Sequence, residues 1–123
     1  MTWEEAEAEF RGKVQSELDR QAALMVKLGP DPDPEVHLIN EGIVSAYKSS
    51  IAILDDLRRF HDPGYALPHL VGRLVSAEGG CYSHADRCRD RGDMDELSIS
   101  EYAGSGYGTL KTYLNALVKS VQT

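Results

Sequence analysis

The chain has 123 residues, 41% of them hydrophobic and 27% charged, with a formal net charge of −7. That is enough sequence for one domain with its own core, and the acidic balance argues against general nucleic-acid binding, which needs Lys and Arg to neutralise phosphates. The longest apolar stretches, such as Ala22 to Val26, are far shorter than the roughly 20 residues that span a bilayer, so no membrane association is expected.

The start, Met1-Thr2-Trp3-Glu4-Glu5, is acidic with no apolar run behind it, unlike a secretory signal. Two cysteines, Cys81 and Cys88, lie seven residues apart in a helical pattern. At 1.5 Å of rise per residue their Cα atoms would stand about 10.5 Å apart, too far for the roughly 4.4–6.8 Å of a disulfide. Two free thiols fit a reducing compartment, and a cytoplasmic protein is expected.

A first helix is predicted over residues 2–28. Trp3, Ala6, Phe10, Val14, Leu18, Ala22, Met25 and Leu28 recur at helical spacing, Thr2 with Glu5 forms a capping box, and Gly29-Pro30 stops the pattern. Residues 29–34, Gly-Pro-Asp-Pro-Asp-Pro, read as a stiff connector because each proline restricts itself and its predecessor. A second helix opens with Asp33 as N-cap and Pro34 in the first position. Its stripe of Val36, Ile39, Ile43, Tyr47, Ile51, Leu54 and Leu57 is widened by Ala46, Ile53 and Phe60, so it should pack on more than one neighbour. Asp62-Pro63-Gly64 should end it.

A third helix is predicted from about Leu67 to Arg91, with Pro68 in its first turn and Gly92 as its stop. Gly79-Gly80 conflicts with it, since two interior glycines cost about 2 kcal/mol relative to alanine. Either the helix breaks there or something packs against the bare backbone. The last segment has two successive start signals: Asp93-Met94-Asp95-Glu96 could begin a short turn, and Ser98 and Glu101 form a second capping box, with Leu97 and Tyr102 as a hydrophobic staple. Glycines 104, 106 and 108 leave residues 99–108 open between helix and loop, and 109–121 form the firmer helix. With no alternating run to make a strand, the expected fold is all-α, an antiparallel bundle of about four helices, with completion by a second copy as the alternative.

Three features could carry chemistry. Cys81 and His84, with Cys88 beyond, present thiol and imidazole on one helix, a possible metal or thiol site. Both cysteines also fall on the apolar stripe, where a free cysteine is usually a small buried hydrophobe. His37 and Glu41 are four residues apart, but the Glu-x-x-His of carboxylate di-metal bundles is absent from the sequence. His61 and His69 read as surface residues flanking a turn. The glycines of the last segment could cradle a phosphate at a helix start, yet no lysine follows as in a P-loop and no strand precedes as in a dinucleotide fold. As a small-residue face they would instead let helices approach closely. Arg58 and Arg59 and the set Arg87, Arg89 and Arg91 end helices that should run in opposite directions, so one monomer should not join them in an anion patch.

These features favour a non-enzymatic interaction or regulatory protein without a cofactor: an acidic helical module that binds another protein and forms a homo-oligomer, most simply a dimer. That reading expects exposed apolar or tyrosine-rich surface on the outer face of the last helix. The alternative is a binder of anionic or nucleotide-like small molecules, with a pocket near Gly79, Gly80, Tyr102, Gly106 and Tyr107. A third reading places a metal- or thiol-dependent site at Cys81 and His84.

Overall fold

The computed structural model describes residues 1–30 and 33–122. They form four helices, α1 (Trp3–Leu28), α2 (Pro34–Arg58), α3 (Pro63–Arg91) and α4 (Met94–Gln122), with no strand among the described residues. The all-α bundle expected from periodicity is therefore present. Asp31 and Pro32 of the expected stiff connector lie outside the described residues.

The helix starts follow local chemistry. Thr2 and Glu5 close a reciprocal capping box at α1, and the Asp33 carboxylate accepts the Glu35 N–H at 2.9 Å. Gly29, with φ of +83°, closes α1 in a conformation that a side chain would oppose. The α3 start comes earlier than predicted, and α4 runs unbroken from the earlier of its two start signals. Asp62 is extended, its carboxylate accepts the Tyr65 N–H at 3.0 Å, and Pro63 takes the first helical position. Asp62-Pro63-Gly64 thus opens α3 instead of only ending α2, and Pro68 sits in the second turn, where it cannot donate to the Gly64 carbonyl. The α4 start is served by Asp93, which accepts the Glu96 N–H with its carboxylate and the Leu97 N–H with its carbonyl. Ser98 and Glu101 lie inside that helix, so their expected capping box is not used.

The glycines decide how the helices meet. Residues 99–108 are helical throughout. Gly42, Ala46 and Ser50 are buried one turn apart on α2, and a Cβ added at Gly42 would lie 2.6 Å from the Ile99 carbonyl oxygen and 2.9 Å from the Ala103 nitrogen. One turn on, a Cβ at Gly106 would come within 3.1 Å of the Ala46 Cβ. Small residues on both helices let the two backbones touch, since interaxial distance depends on the side chains at the contact. Ser50 completes the strip without leaving an unpaired hydroxyl, because its Oγ donates to the Ala46 carbonyl at 2.7 Å.

The pairing along this strip, Gly42 by Ile99 and Ala103 and then Ala46 by Gly106, shows α2 and α4 running in the same direction. In an up-down bundle they are the diagonal pair, so their contact flattens the bundle. α4 becomes the central helix with nine buried residues, whereas α1 has three, Ala6, Phe10 and Val14, all in its first half. There α1 is tied to α2 by Arg58 Nε on Glu7 at 3.0 Å and Arg11 on Asp55 at 2.7 Å.

Gly79 and Gly80 meet neither expectation. α3 passes through them unbroken, and beyond their own stretch of helix a Cβ at either would find no atom of the described residues within 4 Å. Between α3 and α4 the glycines that pack are Gly104, against the Tyr82 ring and Cys81, and Gly108, against the Glu78 carboxylate that Lys111 holds at 3.0 Å.

Candidate functional site

Beyond Val14, α1 keeps its helix but loses its cover. No residue from Gln15 to Leu28 is buried. The run from Ala22 to Val26 makes this turn apolar on every side, and a helix apolar all round is ordinarily an interior one. Here Leu24 is 43% exposed, Leu28 44% and Val26 81%. Between this half of α1 and the facing half of α2 lies an open groove of about 760 Å³. Leu18, Ala22 and Met25 floor it from α1, and Val44 and Ile51 from α2. Asp19 and Lys48 stand on its opposite walls, both exposed. Asp19 accepts one hydrogen bond, from Gln15 at 2.9 Å, and Lys48 has no ion-pair partner among the described residues. Farther along the groove, the Asn40 amide donates to Gln21 at 3.2 Å and bridges the two helices.

The expected apolar surface on the outer face of the last helix is not there. α4 is enclosed by its neighbours, and its one large exposed hydrophobic residue is Met94 at the very start. Exposed large hydrophobic residues also stand singly elsewhere, Phe60 just past α2 and Val75 on α3 among them, but on α1 Leu24, Val26 and Leu28 lie together.

The residues suggested for a small-ligand pocket are only partly brought together. A shallow depression of about 370 Å³ is lined by Gly80 and Tyr107, along with Cys81, His84 and Glu96. Gly79 is exposed and does not line it. Gly106 is buried against Ala46 on the far side of α4, and the Tyr102 hydroxyl reaches Glu35 of α2 at 3.4 Å. The ionisable groups of the depression are a thiol, an imidazole, a phenol and a carboxylate, with no lysine or arginine to hold an anion.

Cys81 and His84 share that depression, but the nearest partners of the His84 Nε2 are Cys88 Sγ and Glu96 Oε1, each at 3.5 Å. Cys88 is fully buried, and Arg91 also lies 3.5 Å from its sulfur. Burial, with Glu78 nearby, pushes the Cys81 thiol above its ordinary range and so keeps it protonated. Among the described residues no three His, Cys, Asp or Glu side chains are grouped to hold a metal ion. No buried side-chain nitrogen or oxygen among them is left without a partner that a ligand would satisfy.

His37 and Glu41 are exposed on α2. His61, Tyr65 and His69 stack at the start of α3, with ring centroids 4.0 and 4.4 Å apart. The two arginine groups are used separately: Arg58 holds Glu7, Arg59 pairs with Asp56, and Arg89 bridges Asp86 and Glu101. No helix among the described residues is long and apolar enough to cross a membrane.

The α1–α2 groove is the feature that sequence reasoning missed. Its signal was present in the run Ala22–Val26, which overfills one helical stripe. Compared with protein-family models, curated proteins and solved structures, the chain matches none of them.

Proposed function

We propose that this protein is a non-enzymatic interaction module whose docking face is the open end of the α1–α2 pair. The observation that carries this reading is the helical turn Ala22–Val26, apolar on all sides and standing in solvent, with Val26 81% exposed. Burying one such side chain is worth about 1.5–3 kcal/mol, and contiguous apolar surface of this kind marks contact sites. The groove beside it has the form used to receive an amphipathic helix, with apolar positions at intervals of four and three along the α1 wall and Val44 and Ile51 two turns apart on the α2 wall. The large distal cavity and the all-round apolar turn make one continuous surface, while the depression near His84 is half that volume and its thiol is held protonated.

The test is site-specific photocrosslinking in the protein's own type of cell. A probe at Val26 is expected to trap a discrete protein, and the same probe at Val75, 49% exposed on α3, is not. Equal, scattered labelling from the two positions would refute the docking face.

A further inference from the structure

We infer that the occupant of the α1–α2 groove is a second copy of this chain, an inference that rests on the docking face proposed above. Charge distribution separates this occupant from others. The chain carries −7 overall. Yet the two segments that form the groove, residues 15–28 and 36–51, contain Glu17, Asp19 and Glu41 against Arg20, Lys27 and Lys48, so they are neutral. The whole acidic excess lies elsewhere. A groove built to receive a basic partner would share in that excess. A neutral apolar face on an acidic protein instead lets two like-charged copies meet where repulsion is least.

The groove is also complementary to itself. The rungs Glu7–Arg58 and Arg11–Asp55 fix the antiparallel register of α1 on α2. Past those rungs the groove opens, and Asp19 of α1 and Lys48 of α2 line it from opposite walls. A two-fold axis running along the groove lays each α1 over the α2 of the other copy. Asp19 then faces the second copy's Lys48, and symmetry makes the contact twice. Met25 and Leu18 of each copy close over Val44 and Ile51 of the other, completing a four-helix layer from two half-covered hairpins.

The experiment is sedimentation equilibrium of the purified full chain across the micromolar range. The expected result is a species of twice 13.6 kDa. Lys48→Glu and Asp19→Lys each set like charges together at two symmetric contacts and should weaken dimerisation about tenfold. The double variant Asp19→Lys/Lys48→Glu reverses every pair and should restore it. All of these changes are at exposed positions, and circular dichroism verifies that each variant is folded. A chain that stays at 13.6 kDa throughout overturns the second copy as occupant, while the docking face still stands or falls by the Val26 crosslink. A dimer that both single variants leave unchanged overturns its placement in this groove.

Discussion

Substituting alanine for glycine separates packing from propensity at two sites in this fold. Gly42 lies in the interior of α2, where alanine is the better helix former by about 1 kcal/mol. Against that gain, its Cβ would stand 2.6 Å from the Ile99 carbonyl oxygen and 2.9 Å from the Ala103 nitrogen, both backbone atoms of the central helix. Backbone cannot rotate aside as a side chain would, so α2 must withdraw from α4. Overpacking of this severity costs about 3 kcal/mol, leaving Gly42→Ala less stable by about 2 kcal/mol after the propensity gain. At about 2.1 cal/mol/K per residue the 123-residue chain loses roughly 8 °C in Tm. Gly79 and Gly80 have the same propensity and no neighbour. Gly79→Ala with Gly80→Ala should therefore add about 2 kcal/mol and raise Tm by a similar amount. Thermal and urea denaturation followed by circular dichroism reads both. A Gly42→Ala variant at least as stable as the parent would refute the close α2–α4 crossing, and a less stable Gly79→Ala/Gly80→Ala variant would refute the open face of α3.

Two further outcomes follow from side-chain environments. Partial burial opposes ionisation of Glu17, but hydrogen bonds from Arg20 and Lys13 outweigh it and hold its carboxyl below the ordinary 4.5. A depressed carboxyl stabilises the fold above its unfolded value and ceases to do so as pH falls through the lower folded value. Urea titrations below pH 5 should thus show a smaller loss of stability with acid for Glu17→Gln than for the parent; an identical slope would count against the pairing. For the thiols, Cys81 should alkylate at neutral pH more slowly than a free cysteine, with the rate climbing as pH rises past the ordinary 9.0, because burial and Glu78 disfavour its thiolate. Cys88, fully buried, should label only with unfolding. Rapid labelling of both in native protein, followed by mass spectrometry, would contradict this account.

The sequence by itself determined the parts of this protein that depend on near neighbours in the chain. Thr2 with Glu5 and Asp33 with Pro34 set two helix starts, Gly29 and Gly92 set two ends, and the spacing from Trp3 through Val14 marked the face of α1 that is buried. Those signals act within one turn and can be read without knowing what lies across the core. The starts of α3 and α4 were legible in the same terms, but Asp62-Pro63 served both as an end and as a start, and two start signals competed at α4; Asp62 and Asp93 prevailed because each is followed at once by helix that Leu67, Leu70 and Leu97 anchor in the core. Tertiary structure alone decided what each glycine does. Gly42 and Gly106 allow two backbones to touch, whereas Gly79 and Gly80 touch nothing, and nothing local distinguishes these pairs. It also decided where the candidate site lies. Leu18, Ala22 and Met25 continue the same helical stripe as Phe10 and Val14, but Leu18 only partly packs against the core, and Ala22 and Met25 lie beyond it in the open groove. Periodicity tells which face of a helix is apolar; whether that face is covered depends on how near the other helices can come.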